Sequence, residues 1–230
     1  TARAQPRANA HRPAAMPLRR VGSSGDLEAM REILTDVLTW SRLSEPHGYD
    51  FNGWLVRTPA GNVCIDPVEP DADDLAELAR LGVATVVLTN RNHVRASNAV
   101  RAATGARVAI HPDDAAYARS QGAEIDAELH GGSRVGPLVV VAVPGKSPGE
   151  IALHWPERRI LFVGDAVIGN PPGRCSLLRE KVMDDPGRLR ESVEALLALD
   201  FDVLLTGDGA PILAGAHDRL EELVATFPAR

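Results

Sequence analysis

Apolar runs alternate with turn-forming residues along most of the chain, beginning near Met30. The first runs are short and strand-like and cover residues 33–40, 51–57 and 62–66. Between the last two lies Pro59-Ala60-Gly61-Asn62, a composition typical of a hairpin turn. This pattern predicts that the fold opens with antiparallel strands.

Helical patterns then alternate with buried-strand patterns. Residues 71–81 place leucines at helical spacing after an acidic start, and Gly82 ends the predicted helix. The continuous apolar run at 84–88 is typical of a strand buried on both faces. The alternation continues with a helix at 95–103, a strand at 106–110 and a short helix from Pro112. Such a series predicts successive β-α units.

The second half of the chain repeats this plan. It predicts strands at 135–143, 151–155, 159–163 and 201–205, a helix that begins at Asp185-Pro186, and a closing helix from about Leu213. Strands followed by β-α units, twice over, predict an α/β fold. We expect two similar β-rich halves packed as a four-layer αββα sandwich with the helices outside.

Composition and charge narrow the classes of function. The 230 residues are 44% hydrophobic and 4% aromatic, which is typical of a globular protein with an aliphatic core. The net charge is −6, but residues 1–25 contain five arginines and no acid, so residues 26–230 carry −11. We predict a disordered basic arm at 1–25 and one domain at 26–230.

The acidic charge of residues 26–230 argues against nucleic-acid and membrane partners, and the small number of cysteines argues against a disulfide-stabilised protein. A charge of −11 disfavours a broad nucleic-acid or anionic-membrane surface, and no apolar run approaches the ~20 residues of a membrane span. The two cysteines, Cys64 and Cys175, cannot form a disulfide framework. We therefore expect a soluble, cytoplasmic protein whose partner is a small molecule; the oligomeric state stays open.

Four predicted strands run directly into polar residues at their carboxyl ends. These strand ends are residues 89–95, 144–149, 164–165 and 207–209. In α/β sheets, ligands bind beyond the carboxyl ends of the strands. The sequence therefore predicts that the four ends line one shared pocket.

The order and spacing of these four segments resemble the metallo-β-lactamase superfamily, from about Met30 to the C-terminus. The family motif T-H-x-H-x-D-H falls on Thr89 to Arg95, P-G-H-T-x-G on 144–149, G-D on 164–165, and G-H-G on 207–209. The resemblance implies the αββα fold. It also implies kinship with β-lactamases, hydroxyacylglutathione hydrolases, lactonases and nucleases, which use a metal centre.

Most metal-binding positions of that motif set are changed. Only Asp165 is retained, and the other positions hold Asn90, Asn92, Val94, Arg95, Lys146 and Asp208. Zinc in proteins is bound by Cys, His and carboxylates, and cationic side chains near it would repel it. We therefore expect no conventional two-zinc site and no cofactor.

The charges at the strand ends suggest what replaces the metals. Asp165 and Asp208 bring two negative charges, and Arg95 and Lys146 bring two positive charges, so the cluster balances without an ion. The leading hypothesis is a hydrolase-like fold that binds a small polar or anionic ligand. The alternative is a hydrolase of esters, lactones or thioesters that uses Lys146 with the two carboxylates, or a non-standard metal. In that alternative Arg95 stabilises an oxyanion.

Four further residues are candidates for ligand binding. Asn90 and Asn92 offer amide groups to the carboxylates or to a ligand. His93 is one position away from the family's ligand spacing, and His47 precedes a strand where the fold places the pocket rim. The sequence leaves open whether any catalysis remains.

Overall fold

Seven strands form the first sheet, in the order in which they occur along the chain. The computed structural model describes residues 29–228, so the predicted arm at 1–25 lies outside the described residues. The first four strands are antiparallel: β1 (Arg31–Leu34), β2 (Val37–Ser44), β3 (Tyr49–Val56) and β4 (Val63–Ile65). The antiparallel opening is therefore confirmed.

The first sheet continues with three parallel strands, each reached through a helix. The strands are β5 (Thr85–Val87), β6 (Arg107–Ile110) and β7 (Ala127–Glu128), and the helices are α1 (Ala72–Leu81), α2 (Ser97–Thr104) and α3 (Pro112–Ser120). Parallel neighbours require such crossover connections. Asp71 begins α1 by accepting a hydrogen bond from the Asp74 amide, and Gly82 ends it.

Five strands form the second sheet, in the order β12-β11-β10-β9-β8. They are β8 (Arg134–Val135), β9 (Leu138–Ala142), β10 (Ile151–Trp155), β11 (Ile160–Val163) and β12 (Val203–Thr206). All neighbours are antiparallel except β11 and β12, which are joined through α4 (Pro186–Leu196). The last helix, α5 (Ala216–Val224), follows β12.

Three apolar clusters hold the layers together. The central cluster combines residues of both sheets, and in it the Trp54 and Phe162 rings meet edge to face at 6.2 Å. A second cluster packs α1, α2 and α3 on the first sheet, and a third packs α4 and α5 on the second. The two sheets pack face to face, and helices cover the outer side of each sheet. This arrangement confirms the predicted four-layer sandwich.

Two predicted strands are each divided by a turn. The run at 33–40 bends at Asp36, which has a φ of 64°, and the run at 135–143 bends at Gly136, with a φ of 58°. Apolar residues lie on both sides of each turn, so the hydrophobic pattern along the sequence is not interrupted there. The helix expected at 95–103 begins instead at Ser97, because Arg95 has a φ of 37°. Within residues 29–228, every helix is too short or too polar to cross a membrane.

Candidate functional site

The predicted strand ends meet at one edge of the sandwich. Backbone hydrogen bonds align them: the Gly207 amide donates to the Val163 carbonyl at 2.8 Å, and the Asn52 amide donates to the Gly207 carbonyl at 2.8 Å. Ligand-type atoms of His93, Asp165 and Asp208 consequently lie within 4.8 Å of one another, and all three residues are buried. Gly164 permits this approach, because a Cβ atom there would lie 2.2 Å from the Thr89 hydroxyl.

His93 lies at the centre of the group, between two carboxylates. Its Nδ1 is 2.8 Å from Asp66 Oδ2, and its Nε2 is 3.2 Å from Asp165 Oδ1. Arg95 Nη2 also approaches His93 Nε2, at 3.0 Å. Burial and Arg95 oppose a charged imidazole, but Asp66 and Asp165 outweigh them and raise the pKa of His93 to about 9. His93 is therefore a cation at neutral pH.

Lys146 pairs with the carboxylate on the other side of this histidine. Its Nζ is 2.6 Å from Asp165 Oδ2 and donates to Asn92 Oδ1 at 2.7 Å. Burial opposes ionisation of Asp165, but His93 and Lys146 together hold the pKa of that carboxyl well below its usual range. Asp165 is thus a carboxylate between two cations.

Arg95 pairs with the second predicted carboxylate. Its Nη2 donates to Asp208 Oδ1 at 2.8 Å, and its guanidinium carbon lies 4.6 Å from the centre of the Phe51 ring. Burial and the nearby Asp165 raise the pKa of Asp208, although His93 and Arg95 oppose this. Arg95 is therefore held in place by a carboxylate and by an aromatic face.

Glu150 is a buried acid behind the cluster. It is only 1% exposed, its Oε1 receives a long contact of 3.5 Å from Asn90 Nδ2, and its Oε2 has no hydrogen-bond partner among residues 29–228. Burial first and Asp165 second raise the pKa of Glu150 well above its usual value. Burial and the neighbouring carboxylate therefore both favour the protonated form of Glu150. Asn90 is itself buried, and its Oδ1 accepts from the Asn92 amide at 2.9 Å.

The charge balance of the cluster differs in composition from the sequence prediction. The four charged residues that the sequence predicted lie together in the cluster, and Asp66 and His93 also form ion pairs there. Three carboxylates therefore face three cations. The cluster therefore has one more acidic and one more basic side chain than the sequence indicated.

Three structural residues of the site were missed by sequence reasoning. Asp66 follows β4 and had the same strand-end signal as the predicted residues. Asp114 joins two of the loops, since its carboxylate accepts from the Arg91 amide at 2.8 Å and from the Gly149 amide at 3.0 Å. Asp114 and Glu150 carried no such signal, because one lies inside α3 and the other in a turn.

His47 lies apart from the ionic cluster, in the exposed loop between β2 and β3. Its Nδ1 is 2.7 Å from the Ser44 hydroxyl, and its ring lies 5.6 Å from Tyr49 and 5.4 Å from Phe51, between centres. It lines the rim of a cavity of about 500 Å³ that also includes Tyr49. Burial raises the pKa of Tyr49, as do Asp208 and Asp165 to a smaller extent, so Tyr49 connects the cavity with the cluster.

Comparison with known proteins finds relatives that are similar in sequence. The chain is 32% identical over 154 residues to a hydroxyacylglutathione hydrolase of Anaeromyxobacter dehalogenans, covering 64% of this chain and 55% of the relative. It is also 32% identical over 154 residues to a protein of the same name from Fuscovulum blasticum, covering 64% of this chain and 56% of that protein. The chain therefore spans about half the length of these curated relatives.

Solved structures resemble the whole fold. A metallo-β-lactamase from Pontibacter korlensis superposes with a TM-score of 0.72 at 18% identity, over 88% of this chain and all of that chain. A metallo-β-lactamase family protein of Thermus thermophilus gives a TM-score of 0.64 at 20% identity, over 84% of this chain and 80% of that one. The metallo-β-lactamase superfamily model matches residues 30–227. With the fold, the strand-end motifs and this match together, the chain belongs to the metallo-β-lactamase superfamily.

Proposed function

We propose that this protein binds a small polar or anionic ligand at a site that works without the superfamily's two-metal centre. The observation that supports this most directly is the pairing of each carboxylate of the motif set with a protein cation. Lys146 Nζ lies 2.6 Å from Asp165, and Arg95 Nη2 lies 2.8 Å from Asp208. In this proposal, the two side chains take the electrostatic place of metal ions.

The donor set is a poor fit to zinc. His93, Asp165 and Asp208 could offer three ligand atoms, but a metal-binding imidazole must present a lone pair. His93 Nδ1 lies 2.8 Å from Asp66, and its Nε2 lies 3.0 Å from Arg95 Nη2 and 3.2 Å from Asp165, so both nitrogens are already engaged by protein groups. A metal would also have to displace Lys146 from Asp165. The proposal therefore includes no step through a metal.

The energetics of burial support the same conclusion. Lys146, His93, Asp165 and Asp208 are each less than 9% exposed, and breaking one such buried pair costs about 3–5 kcal/mol. A cluster that is already neutral has little to gain from a divalent cation, which would add two uncompensated charges. In this proposal, the ligand meets the cluster at Asn92, which is exposed and accepts from Lys146.

A second candidate function is hydrolysis of an ester, lactone or thioester. The names of the relatives from Anaeromyxobacter dehalogenans and Fuscovulum blasticum favour it. In this candidate, Lys146 acts as a base or nucleophile and Arg95 stabilises an oxyanion. Its weakness is that Lys146 already donates to Asp165 and Asn92, so a lone pair on Nζ does not face a substrate.

Metal analysis of the full chain tests the leading proposal. The protein is purified from medium supplemented with zinc, iron and manganese, and bound metal is measured by mass spectrometry before and after dialysis against chelator. We expect far less than one metal per chain and an unchanged melting temperature after chelation. Stoichiometric metal that depends on Asp165 and Asp208 would overturn the proposal.

Turnover assays separate the two candidates. Wild type, Lys146→Gln and a matched control, Arg91→Gln, are assayed with ester, lactone and thioester panels; Arg91 pairs with Asp184 at 2.6 Å outside the cluster. We expect no turnover by any of the three proteins. Turnover that resists chelator and is lost only in Lys146→Gln would establish the hydrolase instead.

A further inference from the structure

A cavity beside the ionic cluster has a lining unlike the rest of this acidic protein. Its volume of about 500 Å³ lies within the 300–1,000 Å³ of small-molecule sites. Arg179 and Lys181 line it, and no acidic side chain does so among the described residues. Lys181 and Lys146 are the only lysines in the sequence, in which the other 23 basic residues are arginines. Lys181 lines the cavity, and Lys146 belongs to the ionic cluster.

The neighbouring acids are engaged elsewhere. Glu180 stands between the two cavity cations in sequence, but its carboxylate pairs with Arg190 of α4 at 2.8 Å. Asp184 pairs with Arg91 at 2.6 Å. Arg179 and Lys181 form no ion pair with any carboxylate in residues 29–228, so their charges are free to act on a ligand.

Apolar side chains complete the cavity, and its wall is tied to the cluster. Ile168, Leu177 and Val182 are among the lining residues. Ile168 and Ser176 exchange backbone hydrogen bonds of 2.9 and 3.0 Å, which close the loop after β11. In the same loop, the Gly169 amide donates to the carbonyl of Asp208 at 2.9 Å. The wall is thus bonded to the strand end that carries a cluster carboxylate.

We propose that this cavity binds an organic anion with an apolar body. The carboxylate or phosphate of the ligand pairs with Arg179 and Lys181, and its apolar part packs against Ile168, Leu177 and Val182. Tyr49 borders both the cavity and the cluster, so the far end of the ligand reaches towards Arg95 and Asp208. The inference rests on the proposed function, because it names the class and position of the ligand proposed there.

Titration calorimetry with simple probes tests this site in the full chain. Hexanoate and hexyl phosphate represent the two possible anionic groups, acetate and inorganic phosphate lack the apolar body, and hexanol lacks the charge. We expect each hexyl anion to bind more tightly than its short counterpart and than hexanol. The better of the two identifies carboxylate or phosphate as the preferred group.

Variants locate the bound probe. Arg179→Gln and Lys181→Gln are both at exposed positions, and each is expected to weaken hexyl-anion binding by about fivefold, as for one exposed ion pair. The matched control is Arg174→Gln, which removes an exposed arginine of the same loop outside the cavity lining. We expect the control to bind like wild type.

Three results would overturn the inference: hexanol bound as tightly as the anions, no probe bound at all, or affinities unaffected by both cavity substitutions. If Lys146→Gln abolished binding while the Arg179 and Lys181 variants retained it, the ligand would occupy the cluster itself. The cavity inference would then fail while the proposed function stood. Conversely, stoichiometric metal together with dependence on Arg179 and Lys181 would refute only the metal-free proposal.

Discussion

Raising the pH from 6.5 to 9 is expected to destabilise the folded protein through His93. The pKa of His93 is raised from 6.5 to about 9 in the folded state, because Asp66 and Asp165 overcome the opposing effects of burial and Arg95. Below pH 6.5 the imidazole is protonated in both states, and the contribution is fully present. Above it, the unfolded chain loses the proton first, so stability falls until the folded pKa is passed.

The size of the effect follows from the two pKa values. Each pH unit corresponds to about 1.4 kcal/mol, so the span from 6.5 to about 9 predicts a loss of about 3 kcal/mol in the free energy of unfolding. That is a large share of the 5–15 kcal/mol typical of a domain. Urea unfolding followed by tryptophan fluorescence at each pH measures it.

Glu150 contributes in the same direction and must be separated from His93. Its pKa is raised in the folded state, while the unfolded carboxyl ionises around its ordinary value of 4.5, so stability also falls as the pH rises above that value. Arg95, Lys146 and Asp208 belong to the same cluster. The thiols of Cys64 and Cys175 add to the loss at the upper end of the range, because burial raises their pKa in the folded protein, whereas thiols of the unfolded chain ionise from about pH 8.5. The Glu150→Gln protein removes the Glu150 contribution, so that His93 dominates the change in stability below about pH 8.

Two results would refute this reasoning. The first is a Glu150→Gln protein of constant stability between pH 6.5 and 9. The second comes from a nuclear magnetic resonance titration of the wild type, in which His93 is observed directly. A midpoint at or below the ordinary value of 6.5 would mean that the two carboxylates do not outweigh burial.

Three further predictions concern pairing, backbone and exposure. Lys146→Met removes the shorter of the two ion pairs of the buried Asp165 and is expected to cost up to about 3–5 kcal/mol of unfolding free energy. Part of this returns when Asp165→Asn is added, and purely additive urea-unfolding values would contradict the pairing. Gly145, with a φ of 142°, lies so close to α4 that a Cβ atom added by Gly145→Ala would be 2.3 Å from the helix backbone. We expect this variant to lose more melting temperature than Gly173→Ala, where φ is 81° and no atom lies within 4 Å. Equal losses would argue against the close contact. An amine-reactive reagent is expected to modify the exposed Lys181 before Lys146, because Lys146 is only 7% exposed and is ion-paired. Peptide mass spectrometry measures the order of modification, and the reverse order would contradict the buried pair.

Local patterns in the sequence were sufficient for most of the elements. The cap at Asp71 and the leucine spacing after it define α1, and the apolar run at 151–155 is β10. Such features depend on residues a few positions apart, so they can be seen without a fold. The turns at Asp36 and Gly136 were not predicted, because apolar residues flank them on both sides. The hydrophobic pattern indicates which residues are buried and not where the chain changes direction.

The sequence by itself also predicted that four charged residues would meet, because strand ends at one sheet edge converge whatever their separation along the chain. Arg95, Lys146, Asp165 and Asp208 were all found in this way. Only the tertiary structure decided which basic side chain faces which carboxylate, that Asp66 and Asp165 raise the pKa of His93, and that burial raises the pKa of Glu150. The reason is physical: the charge state of a buried group depends on burial and on charges a few ångströms away, and those neighbours come from different elements.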